Sequence, residues 1–183
     1  MERIARASPL LKARIAGVFY LLTFVTGALT LSFGGGGRLV ANLVATACYI
    51  AVTLLFYDLF KPVNGTVSLI AALFSLVGSA FGALGPYHVA PFDTINSLAI
   101  FGVYCLLIGY LIVRSTFLPR VLGVLMGLGG LGWLTFASPP LAHALSPYNF
   151  GPGLLGEGAL TLWLLVFGVD ARRWNEQAGR LRG

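Results

Sequence analysis

Charge is scarce in this sequence. Only six acidic and twelve basic residues occur in 183, so 10% of the chain is charged, against about 25% in soluble domains. That shortage excludes an ordinary water-soluble domain. The net charge of +6 does not point to nucleic acid, because the basic residues sit at the two ends and in short gaps between apolar runs and form no binding stripe. Cysteine is nearly absent too. Cys48 and Cys105 each lie inside an apolar run and no CxxC occurs, which excludes a cysteine metal knuckle or a thioredoxin-type redox motif. Both read as small packing residues, and spacing alone does not say whether they meet. HExxH, a P-loop and a Ser-His-Asp order are all missing. The "GGGG" at 34–37 follows no strand and is a tight connection, not a phosphate cradle.

Apolar residues fill the space. They make up 57% of the chain, and mean hydropathy is +0.87. Crossing ~30 Å of hydrocarbon takes ~20 apolar residues in a helix. Charges and Pro/Gly clusters divide the chain into six such stretches, near 15–33, 39–58, 66–85, 94–114, 119–138 and 152–170. "GPYHVAP" and "SPPLAHALSPYNFGP" form loops between them. The first stretch is longer than a signal-peptide core and has no clear cleavage site after it, so it reads as a retained span. The expected fold is all-α: one polytopic membrane domain over 1–183, a six-transmembrane-helix bundle.

Six crossings put both termini on one side. With that side cytoplasmic, eleven of the twelve basic residues lie inside and only Arg38 outside, as the positive-inside rule requires. Five or seven crossings would spoil the bias. The expected location is the bacterial cytoplasmic (inner) membrane, multi-pass, with N- and C-termini in the cytoplasm.

Lipid does not drive helices together, so small and polar residues must mark the packed faces. Each span has such a stripe: Thr23/Thr26/Thr30, Asn42/Thr46/Tyr49/Thr53, Ser68/Ser75/Ser79/Gly82, Gly102/Cys105/Gly109, Gly123/Gly127/Gly130 and Gly153/Glu157/Thr161/Gly168. Such faces pack a bundle and also offer a route to a homo-oligomer. Asn42 and Glu157 are the members hardest to keep from water. An inverted repeat of three plus three spans would be possible, but the two halves show no convincing similarity.

Glu157 stands out. The last span must end at Asp170, and from Gly158 only twelve residues remain, too few to cross. The helix therefore starts earlier, with Pro152 in its first turn, and Glu157 lies inside, roughly 8 Å below the start at ~1.5 Å per residue. A charged acid at a helix centre costs ~2.5–3.5 kcal/mol on insertion scales, and the helix N-terminus offsets ~0.3–1 kcal/mol. A partner is expected: Arg38, Asn42, water or a bound cation. Gly156 and Gly158 would let a helix or a ligand approach. The expected outer face also holds His88, His143, Asp93 and Arg38. Each has an ordinary reading: Asp93 or Thr94 as a helix cap, Arg38 extended to the headgroups, the histidines as loop residues. Together with Glu157 they are also a conceivable Zn²⁺ ligand set, without the short spacing that would mark one. A haem held by both histidines is disfavoured, since both lie in Pro-rich loops.

Four segments in order, "ARIAGVFYLLTFVTG", "LFYDLFKPVNGTVSLIAALF", "GYLIVRSTFLPRVLGVLMGLGGLGWL" and "GEGALTLWLLVFGVD", resemble the bacterial membrane family termed domain of unknown function 4386. The resemblance covers most of the chain, with brief outer stretches. It implies a polytopic bacterial membrane protein and carries over no activity and no catalytic residues. Glu157 occupies the acidic position of the closing segment.

Three functions fit these features. The first is binding or transport of a small molecule or lipid through an outward-facing polar cavity ending at Glu157, with Asn42, Arg38, His88, His143 and Asp93 as further candidate ligand-binding residues. The second is a scaffold or partner subunit without a site of its own. The third, ranked last, is a membrane-embedded enzyme with an outer-face His/acid site. No cofactor is expected, and the lipid bilayer is the one partner implied throughout.

Overall fold

A computed structural model describes residues 8–88, 90–91 and 95–180, apart from the side chain of Leu31. The described residues form eight α-helices: α1 Pro9–Ser32, α2 Gly35–Phe60, α3 Gly65–Leu84, α4 Ser97–Arg114, α5 Arg120–Leu134, α6 Pro139–Leu145, α7 Phe150–Val166 and α8 Ala171–Gly179. Single 3-10 turns follow α3 and α5. The protein is an all-α, multi-pass membrane bundle. Five helices are long and apolar enough to cross a bilayer, and α7, bent by 102° against α8, makes up to six. At 17 residues, α7 runs ~25 Å and packs between its neighbours like the other five.

Those six helices form a closed ring. Each packs on the next in sequence, and α7 packs back on α1. The contacts fix every neighbouring pair as antiparallel. Asn42 reaches the carbonyl of Ala83 at 3.2 Å while, three turns on, Thr53 meets Ser75 at 2.5 Å. Tyr20 meets Glu157 in mid-ring, and Leu10 meets Gly168 at its end. The outer surface carries Leu22, Val25, Leu43, Leu54, Leu73, Val77, Leu128 and Leu162, all well exposed, while Ser68, Thr53, Ser75 and Thr161 are buried. This apolar-out, polar-in arrangement suits lipid surroundings, where helices associate through small residues and hydrogen bonds.

Glycine sets the closest approaches. A Cβ on Gly109 would lie 2.7 Å from the Gly123 carbonyl oxygen, and one on Gly130 would lie 2.7 Å from that of Gly102. The two pairs let α4 and α5 pack backbone on backbone. On another side of α5, Gly132 abuts the Asn149 carbonyl and Gly156 of α7 abuts that of Leu125. The run "GVLMGLGGLGWL" is therefore glycine-rich because α5 has two close neighbours. The small-residue stripes on α4 and α5, expected to serve either packing or an oligomer, are used within the ring.

Several boundaries differ from the sequence reading. The first helix starts at Pro9, because Ser8 accepts a bond from the Leu11 amide and proline suits the first turn. Lys12 thereby joins the helix and pairs with Asp58 of α2. The last crossing ends at Val166, not Asp170, because Gly168 turns the chain with φ +69°. Asp170 instead caps α8, accepting from the Arg173 amide at 3.0 Å. Two short helices fall where loops or tails were expected. Polar α8 lies across the terminal end of the ring, where the Trp174 indole donates to the Leu59 carbonyl at 2.8 Å. The other, α6, sits in the α5–α7 connection, where the Asn149 amide bonds to Thr135 at 3.2 Å and Ala142 at 3.3 Å.

Candidate functional site

Glu157 lies inside the ring, two turns into α7. It is 8% exposed, so its carboxylate has left water and needs donors from the protein. Three helices supply them. The Tyr20 hydroxyl of α1 donates to Oε2 at 2.7 Å, the Trp133 indole of α5 donates to Oε1 at 2.6 Å, and the Cys105 thiol of α4 lies 3.8 Å from Oε1. The backbone arranges this. Gly153, one turn before Glu157, leaves the space that the Trp133 indole fills, and a Cβ there would overlap the ring. On the other flank a Cβ on Gly158 would meet nothing, so only Gly156 of the two flanking glycines admits a neighbouring helix.

Aromatic rings surround the acid. Tyr20 packs edge-on against Tyr49 with centroids 5.6 Å apart, and Tyr49 does the same with Phe101 at 4.8 Å and Tyr104 at 5.9 Å. An open cavity of about 270 Å³ reaches this cluster from the end of the ring away from α8; Asn42, Thr46, Tyr49, Ser79, Phe101, Trp133 and Glu157 are among its walls. All six crossing helices contribute to it. Its surface is mainly carbon, with the carboxylate among its few polar groups. Among the described residues the Ser79 Oγ, buried on this wall, has no hydrogen-bond partner, and the buried Tyr104 hydroxyl has none either. No basic side chain lines the cavity, and Glu157 is in none of the ion pairs among the described residues.

The structure brings together only part of the residue set named from the sequence. Glu157 and Asn42 line the same cavity. Asn42 does not hold the acid, however: its amide donates to the Gly82 and Ala83 carbonyls at 3.5 and 3.2 Å and ties α2 to α3. Arg38 is exposed at the start of α2 and does not reach the cavity wall. His88 is exposed, with φ +56°, just past α3. His143, on α6, lines a different cavity with Asn96 and Phe136. Asp93 lies outside the described residues. Among the described residues no group of three His, Cys, Asp or Glu gathers as a metal site would. Cys48 and Cys105 are both free and buried.

Tyr20 and Trp133, two of the three donors to the acid, escaped the sequence reading. Both sit in apolar runs, 137 and 24 residues from Glu157, where an aromatic ring carries no sign of its partner. The glycine four residues before Glu157 was the one local trace.

Comparison with known proteins finds likenesses to part of the chain. A family model described as "Domain of unknown function (DUF4386)" matches residues 95–168, the stretch holding Cys105, Trp133 and Glu157. An uncharacterized protein of Archaeoglobus fulgidus is 26% identical over 127 residues, covering 65% of this chain and 76% of that one. No solved structure matches. From α4 to the turn after α7, this chain is similar to the DUF4386 family.

Proposed function

We propose that this protein binds a small molecule in the cavity that ends at Glu157, and that it does so from the outer side of a cytoplasmic (inner) membrane with both termini in the cytosol. The cavity itself carries the reading. It leads from one end of the ring to a withdrawn carboxylate and passes a serine hydroxyl that has nothing to bond. Packing alone leaves few buried polar groups unpaired, whereas pockets for small ligands join apolar walls to a few placed polar groups. The orientation follows from the positive-inside rule and makes the open end face outward. Transport is an extension of the same reading, with binding as its first step.

One observation favours a second reading, a scaffold or partner subunit in which Glu157 is purely structural: its carboxylate already has three donors. A single comparison separates the two. Wild type and Glu157→Gln are purified in detergent and their thermal stabilisation is measured across a panel of metabolites, lipids and metals. A compound that stabilises only the wild type supports the site. Equal responses from both proteins across the panel, with the variant the more stable throughout, would support the structural acid. Orientation is checked with a His143→Cys variant lacking Cys48 and Cys105. A membrane-impermeant maleimide should label it from outside intact cells, and labelling only after the inner face is exposed would reverse the assignment.

A further inference from the structure

The charge of Glu157 has no match. Neutral donors from Tyr20, Trp133 and Cys105 lower the cost of burying a carboxylate but do not cancel its charge. A buried charge is ordinarily paired or neutralised by a proton. Among the described residues no lysine, arginine or histidine lines the cavity. A counter-charge other than a proton must then come from outside.

The walls say what kind. Tyr49, Phe101 and Trp133 flank the space that reaches Glu157, and aromatic faces attract cations through the ring quadrupole. Ser79 Oγ, unpartnered and 5% exposed at the residue level, can accept from an N–H group. One carboxylate, with no second acidic or histidine ligand beside it among the described residues, is a poor donor set for a divalent metal. The volume of about 270 Å³ exceeds a bare ion and lies near the lower end of small-ligand pockets, roughly 300–1,000 Å³. An anion would meet a carboxylate and no positive group.

We infer that the cavity takes a small organic cation, an amine or quaternary ammonium with an apolar body, its charge at Glu157 and its carbon skeleton against Tyr49, Phe101 and Trp133. This rests on the cavity being a ligand site and adds the class of ligand.

The test uses charged and neutral twins of one shape: choline with 3,3-dimethylbutan-1-ol, and benzylamine with benzyl alcohol. Each is titrated into the purified full-length protein at constant ionic strength, followed by tryptophan fluorescence and thermal shift. The expected result is that the cations bind wild type at least tenfold more tightly than their twins, and that Glu157→Gln loses this preference. The twin comparison needs only wild type, so it stands even if the variant does not fold. Ala45→Phe, which fills the cavity from its α2 wall, should abolish binding of all four compounds. Equal binding of cation and twin to wild type overturns the charge recognition and leaves the cavity as a site. Binding only of anionic or neutral compounds from the wider panel has the same meaning. If no compound of either set binds wild type, the cavity reading falls as well.

Discussion

The Trp133 indole rests on Gly153 and, from that seat, points its N–H at Glu157 one turn further along the same helix. Position and partner are thus supplied by a single helix, α7. Gly153→Ala should displace the indole and break its bond to the carboxylate. The cost of overpacking such a contact is about 1–3 kcal/mol, read as a drop in thermal stability. In a background of Trp163→Phe and Trp174→Phe, Trp133 emission should also shift. Gly158→Ala, where a Cβ meets nothing, is the control and should leave the emission unchanged and the stability equal or slightly higher. An unaltered emission in Gly153→Ala would refute this coupling.

Tyr20 is fully buried and spends its hydroxyl on Glu157. Tyr20→Phe keeps the ring packing and removes one donor. Hydrogen bonds between membrane helices average ~0.6 kcal/mol and reach ~1.7, and a carboxylate acceptor belongs at the upper end. Reversible unfolding in mixed micelles measures this loss. A variant as stable as wild type would mean that the bond contributes nothing to holding α1 in the ring.

Gly109 and Gly127 lie on facing helices but differ in what a methyl group would meet. At Gly109 it would come within 2.7 Å of a backbone oxygen, whereas at Gly127 it would meet nothing. Gly109→Ala should therefore force α4 and α5 apart and destabilise by about 1–3 kcal/mol. Gly127→Ala should be neutral or slightly stabilising, since alanine is the better helix former. Equal effects in the two melts would rule out the glycine contact as the determinant of α4–α5 spacing.

Trp174 anchors α8 beneath the ring through its bond to the Leu59 carbonyl. Trp174→Phe removes that bond and keeps most of the ring contact. Limited proteolysis should then cut within 171–180 several-fold faster, while the melting of the crossings moves little. Unchanged cleavage would show that Thr116 and Gln177, which bond at 3.1 Å, suffice to hold the helix.

Much of the membrane architecture is legible in the chain itself. Apolar stretches between charges locate the crossings because hydrocarbon tolerates little else. Stripes such as Ser68/Ser75/Ser79 and Gly102/Cys105/Gly109 mark buried faces correctly, since only small or bonded groups allow helices to approach. Glu157 was visible as the odd residue for the same reason. Its partners were not. Arginine and asparagine were the expected companions because they carry obvious polarity, yet Arg38 stays at the surface and Asn42 serves a helix end. Tyrosine and tryptophan hide a donor on an apolar body, so hydropathy counts them with leucine. The terminal helix α8 escaped because hydropathy responds to lipid-facing segments and passes over polar ones that lie along the bundle end.

The closure of the ring has a bearing on biogenesis. Helix α1 leaves the ribosome long before α7, since the residues joined by the Tyr20–Glu157 bond are 137 apart in sequence. Until the later helix emerges, the earlier one must wait in the bilayer with one flank unclaimed and its tyrosine unsatisfied. Circle formation is therefore a late event in synthesis, and a nascent chain halted ahead of α7 would be an open arc with neither the acid nor its pocket.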